Sequence, residues 1–165
     1  MKNWLTGLLM SVVQATVSYG EPVLFKDAVL TINNGIVIVD GETRYYEDIR
    51  MTAAQNGSFH IVNATERSLT YVDEISVAVI ETNPVQVELQ VLGHTPNPCV
   101  ELETAVIRSG NTFYVVVADT PLQTLIACAQ IIQPYEVTIP LDVSGLPPGD
   151  YLVVVNGDDI EFTLD

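Results

Sequence analysis

Basic residues are scarce in this sequence: six Lys and Arg stand against twenty-one Asp and Glu, for a formal net charge of −15. A surface of that sign repels phosphate backbones and anionic headgroups, which excludes a nucleic-acid binder. Histidine is nearly absent, with His60 and His94 each standing alone. The two cysteines, Cys99 and Cys128, form no CxxC pair, so the clustered ligands of a zinc site are missing. No transmembrane segment is expected. A spanning helix needs about 20 apolar residues, and the apolar stretch from Trp4 to Val13 is about half that. Amphipathic helical periodicity is also lacking after Glu21.

What the chain does have is an apolar fraction of 48%, mostly Val, Ile and Leu, accompanied by Thr and Tyr. β-Branched and aromatic residues suit the pleated, half-buried surface of a strand. Turn signals then recur every 8–12 residues, the spacing of a sandwich or barrel. Three regions follow. Residues 1–20 read as a secretory signal, with Val13 and Ala15 at the cleavage positions, or as an ordered N-terminal strand in which Val13, Ala15, Val17 and Tyr19 alternate with polar residues. Residues 21–74 read as a β-meander. In it "AVLTI" meets the turn "NNG", "IVIVD" meets "DG", and "QNGSF" leads into "HIVNA". The polar stretch "SLTYVDE" closes this region as a connection. Residues 75–165 read as the sandwich. "VQVELQVLG" alternates cleanly, so one face of its sheet is wet, and "TFYVVVAD" is apolar enough to be central. Thr120–Ile132 reads as an irregular crossover with at most a short helical turn, or as a single helix with Thr120 as its N-cap and Pro121 at its first position.

Catalytic residues are not expected. Nucleophilic catalysis needs an oriented base beside its Ser, Thr or Cys, and no GxSxG elbow is present. The doublets Glu47-Asp48, Asp73-Glu74 and Asp158-Asp159 point to opposite faces of their strands. None of them is the opposed pair that a carboxylate-dependent hydrolase uses. The most specific metal idea is Ca²⁺, which takes oxygen ligands from acidic turns such as Asp40 and Glu42 or Asp158, Asp159 and Glu161. Otherwise no cofactor is expected. Two cysteines in an exported β protein make one disulfide most simply; two buried free thiols in a cytosolic chain are the alternative.

From Val85 to Leu164 the motifs "PNPCVEL", "RSGNTFYVVV", "CAQIIQPYEVTIPLDVSGLPPGDYLVVVNG" and "EFTL" resemble a family of secreted bacterial immunoglobulin-like modules. The resemblance implies a β-sandwich with a Cys99–Cys128 bridge outside the cytoplasm, extracellular or periplasmic, and it transfers no catalytic residue. No lipobox Cys stands near the N-terminus, so a lipid anchor is not expected. The resulting expectation is an all-β fold: an immunoglobulin-like antiparallel β-sandwich with an additional N-terminal β-meander. The expected function is that of a non-enzymatic structural, adhesive or filament-forming subunit, with protein partners including other copies of itself. Val13, Ala15, Val17 and Tyr19 are candidate strand donors to a neighbour's sheet edge. The alternative is a loop-based binding or protease-inhibitor module, for a protein or a carbohydrate. Its candidate loops carry His94, Pro96 and Asn97 at one site and Pro147 and Pro148 at another. A second alternative is a hydrolase that uses scattered carboxylates.

Overall fold

The computed structural model describes residues 18–19, 23–122 and 127–165, and among these every regular element is a strand. β1 (Ser18–Tyr19) is followed by a meander of β2 (Leu24–Lys26), β3 (Val29–Val39), β4 (Glu42–Ala53) and β5 (Phe59–Leu69), each antiparallel to the next. Asp40 and Gly41 both take positive φ (53° and 85°), the conformation a two-residue hairpin turn requires. The expected "NNG" turn does not form. β3 instead runs straight through Asn33–Gly35, pairing from Val29↔Thr52 to Val39↔Glu42. Gly35 serves packing here, since a Cβ on it would lie 2.9 Å from Ile49 Cδ1. The break in regularity falls on the partner strand. Asp48 has φ 50°, the β4–β5 register slips there, and Asn63 Nδ2 donates to the Asp48 carbonyl at 2.8 Å.

The remaining strands build a β-sandwich: β6 (Tyr71–Ile80), β7 (Gln86–Thr95), β8 (Val100–Ser109), β9 (Thr112–Pro121), β10 (Gln133–Leu141), β11 (Gly149–Val155) and β12 (Asp158–Leu164). One sheet has the order β6-β7-β10; the facing one contains β8, β9, β11 and β12. Alternation does what the sequence pattern anticipates. Val87, Leu89 and Val91 of β7 and Ile139 and Leu141 of β10 pack against Phe113, Val115 and Val117 of β9 and Tyr151, Val153 and Val155 of β11. Each such side chain contributes about 1.5–3 kcal/mol by leaving water. Phe113, Tyr151 and Phe162 form an aromatic group with ring centroids 5.5–6.2 Å apart.

The all-β sandwich is as expected, with one parallel pair among its antiparallel strands. The β11–β12 hairpin arrives over the 122–148 crossover, so β11 lies parallel to β9, from Leu152↔Thr112 to Val155↔Val115. Two local expectations need correction. The "SLTYVDE" connection shrinks to Thr70, because Ser68 and Leu69 still pair in β5 and Tyr71 already pairs in β6. β7 does not stop at Gly93. That glycine is a mid-strand gap that admits the Tyr71 carbonyl and the Tyr135 hydroxyl, which a Cβ would meet at 2.1 and 2.4 Å. Within the expected crossover, the described residues beyond Pro121 are irregular, and 123–126 lie outside the described residues.

The meander and sandwich join along β9. Its edge pairs with β11 up to Val115 and with β5 at Ala118 and Asp119. Between these partners Asn156 supplies a side chain in place of a strand. Its Oδ1 accepts from the Val117 amide at 3.0 Å, and its Nδ2 donates to the carbonyls of Val117 (2.9 Å) and Thr70 (3.1 Å). Thr70 adds its amide and its hydroxyl to the same Val117 carbonyl, both at 3.0 Å. Val117 is fully buried, so its amide has no water to fall back on. Asn156→Gly keeps the positive φ of 51° at this turn but removes these side-chain bonds. It is expected to cost about 2–3 kcal/mol and lower the melting temperature by about 5–10 °C. A thermal melt unchanged from wild type would contradict this role.

Candidate functional site

The meander projects from the sandwich as an arm whose inner part is anchored and whose outer part is bare. At the anchor, Tyr45 is fully buried with Ala105, Val116 and Ala118, on the face of β8 and β9 that looks away from the sandwich core. Further out the arm is exposed. One face is apolar, with Phe25, Met51, Phe59 and Ile61, while the other is mixed, since Thr31 pairs with Arg50 and Thr52 with His60 on it beside Leu24 and Val62. Among the described residues, nine of the fifteen exposed large apolar side chains lie between Val23 and Val62. Ile61 (67%) and Val62 (59%) are neighbours on β5 and so point to opposite faces. The sheet also curls. Phe25 of β2 and Phe59 of β5 are separated by two strands, yet their rings meet edge to face at 6.3 Å. The hollow face forms a trough of about 460 Å³, walled by Ile32, Val37, Tyr46, Ile49, Met51 and Ile61. An apolar surface this continuous on an otherwise acidic protein is the mark of an interaction site.

The anchor also contains the most perturbed titratable groups. Tyr45 donates its hydroxyl to Glu103 Oε1 at 3.0 Å, and Arg67 Nε donates to Glu47 Oε2 at 2.5 Å. Burial pushes the Glu103 carboxyl above the ordinary glutamate range, and the nearby Glu47 carboxylate adds to the rise. Burial and the Glu103 charge push the Tyr45 phenol up in turn. The Tyr45–Glu103 bond couples arm to sandwich, and Arg67 also lines an open groove with Glu42, Arg44, Glu66 and Asn156.

The expected site residues fall apart into several places. Cys99 and Cys128 are bonded, with Cα atoms 6.0 Å apart, and tie the β7–β8 loop to the β9–β10 crossover. A closed loop of that length contributes on the order of 3 kcal/mol in the chain-entropy model. His94 is not in a loop but on β7. It stacks on Tyr71 at 4.9 Å, and its Nδ1 lies 2.9 Å from Asp73 Oδ2, so strand pairing accounts for its partners. Pro96 is exposed, while Asn97 Oδ1 accepts from the Cys99 amide at 2.9 Å and shapes the disulfide loop. Pro147 accepts the Tyr151 hydroxyl at 2.7 Å, and Pro148 walls a cavity at the other end of the sandwich. The two proline loops therefore do not make one binding site. Asp40 and Glu42 flank the β3–β4 turn, whereas Asp158, Asp159 and Glu161 lie on β12. Among the described residues no group of three or more His, Cys, Asp or Glu is gathered where it could hold a metal ion. Val13, Ala15 and Val17 lie outside the described residues. Ser18 and Tyr19 pair in parallel with Ala105 and Val106 on the outer edge of β8.

Sequence reasoning missed the arm's open face because its residues alternate no differently from those of a buried sheet. It missed the Glu103 cluster because those partners come from β4, β5 and β8. The cluster sets a pH dependence. The folded state holds the Glu103 proton more tightly than the unfolded chain does. Stability therefore rises as pH falls from the raised folded value toward the ordinary glutamate value, and the charged form carries a penalty above that window. Glu103→Gln keeps an acceptor for Tyr45 without the charge. It is expected to melt a few degrees above wild type at pH 7 and to lose that advantage near pH 4. Melts across this range check it, and an advantage that does not vary with pH would contradict the assignment.

Residues 89–164 match the profile of the ORF11 beta-sandwich domain. The match starts within β7 and ends with the last residue of β12, so it spans most of the sandwich and none of the arm. No curated protein and no solved structure matches the chain. What the comparisons support is thus a β-sandwich module, similar to that domain over its second half.

Proposed function

We propose that the protein is a non-enzymatic structural subunit, working outside the cytoplasm, that assembles with other copies of itself through the arm. The observation that carries this reading is the arm's outer sheet, whose apolar face, with Phe25, Phe59 and Ile61, is left uncovered by its own sandwich. Burying such a sheet against another chain is the ordinary way to remove that much apolar surface from water. The charge distribution favours a second copy as the occupant. Residues 23–69 carry four Lys and Arg against six Asp and Glu, a balance of only −2. Residues 70–165 carry one Arg against fourteen acidic residues, a balance of −13. The arm is thus the part of each copy that an acidic neighbour repels least. The disulfide favours an oxidising compartment.

A second reading rests on a separate observation. Ser18 and Tyr19 lie on the free edge of β8, which takes an extended segment in parallel. In a neighbour, the same edge would accept the N-terminal residues of another copy, with Val13, Ala15, Val17 and Tyr19 as the alternating set. Light scattering over a concentration series separates the two readings. Wild-type protein is expected to gain mass with concentration, and Ile61→Asp to stay monomeric because it places a charge on the arm. A Δ1–20 chain is expected to associate like wild type if the arm is the contact, and to be monomeric if strand donation is. Wild type that remains monomeric throughout would overturn both readings.

A further inference from the structure

The sandwich has an open pocket, part aliphatic and part acidic, at the end opposite the arm. About 300 Å³ in volume, it opens between the β6–β7 turn, the loop before β11 and the end of β12. Val79, Val85, Leu146, Pro148 and Leu164 wall it, together with the acidic side chains of Glu81 and Asp165. Val79 and Val85 are among the exposed large apolar residues. β6 leaves the arm junction at Thr70 and runs ten residues to reach this end, a distance of about 30 Å. The arm's outer tip has the complementary character. Leu24 and Phe25 are both 58% exposed, Phe59 leans on Phe25, and Lys26 is one of the chain's six basic residues.

We infer that the arm tip of one copy, Leu24-Phe25-Lys26, docks in this end cavity of a second copy, so that copies join head to tail. The inference rests on the preceding reading, that the arm is the contact between copies, and names the surface that receives it. Phe25 supplies apolar bulk for a pocket with aliphatic walls, and Lys26 supplies the charge that Glu81 and Asp165 lack within their own chain's environment of −13. Two cavity ends placed together would oppose acid to acid. Two arms placed together would leave both cavities open. Tip and cavity lie on different ends of one body, so the contact is heterologous. It extends into an open series unless the rotation between copies closes a ring.

Sedimentation velocity with two variants and their mixture tests this on the full chain. Phe25→Asp disables the tip and leaves the cavity; Val85→Asp disables the cavity and leaves the tip. Both sites are exposed, and a thermal melt confirms that each variant folds; should Val85→Asp not fold, Glu81→Lys takes its place. Wild type is expected to form species larger than a dimer as concentration rises. Each variant alone is expected to be monomeric, and an equimolar mixture to form a one-to-one dimer and nothing larger. If the cavity variant associates like wild type while Phe25→Asp does not, the arm docks elsewhere; this inference falls and the preceding reading stands. If both variants associate like wild type, the arm is not the contact and both fall.

Discussion

β9 offers a single edge to two partners, and the residue between them has neither. At that point Val117 is fully buried, and the Asn156 side chain takes both of its backbone groups, joined at the carbonyl by the amide and hydroxyl of Thr70. A side-chain amide carries an acceptor and donors in one plane, so it completes a ladder where a strand cannot fit. The positive φ of Asn156 lets the same residue turn the chain into β12. Without its side chain the buried Val117 amide would lose its acceptor, and the joint would rest on Thr70, the short β5–β9 ladder and the packing of Tyr45. Tyr135 reinforces the joint: its hydroxyl lies 2.7 Å from the Thr70 hydroxyl and donates to the Tyr71 carbonyl at 3.1 Å, over the space left by Gly93.

The joint makes one nine-stranded sheet out of two units with different surfaces. The sandwich buries its apolar residues between two sheets and shows the solvent an acidic exterior. The arm buries its inner part, at Tyr45, and leaves the outer part uncovered. Because the joint is backbone-like, the bare sheet is held at a defined angle to the sandwich rather than on a flexible tether. A contact made through the arm then sets the orientation of the whole subunit. The Cys99–Cys128 bridge acts separately, holding the β7–β8 loop against the long crossover that brings β11 back to β9.

Much of the fold is legible in the sequence because local chemistry dictates it. Asp40-Gly41, Asn56-Gly57 and Ser109-Gly110 each mark a turn that forms, and the alternation of Val87, Leu89 and Val91 points them at the core. Reading fails where one residue type serves two purposes. Asn34-Gly35 has the composition of a hairpin turn, but Gly35 is small to admit Ile49. Gly93 looks like a strand terminator, but it clears room for two tyrosines. Asn156, standing before Gly157, has the composition of a turn, but nothing local marks it as a ladder surrogate, because Val117 is 39 residues away in the chain. The candidate site was less legible still. Exposure of Phe25, Ile61 and Val62 depends on what fails to pack over them, and strand periodicity carries no information about that.

On these contacts arm and sandwich unfold as one cooperative body, coupled through the side chain of Asn156. Native-state hydrogen exchange at the Val117 amide reports on that coupling, since the amide donates to Asn156 Oδ1 rather than to a strand carbonyl. Val117 is expected to exchange only through global unfolding, with the same free energy as the core amides of Val115 and Val153. Exchange of Val117 at a markedly lower free energy, together with the amides of β3 and β4, would show the joint opening on its own and would contradict that coupling.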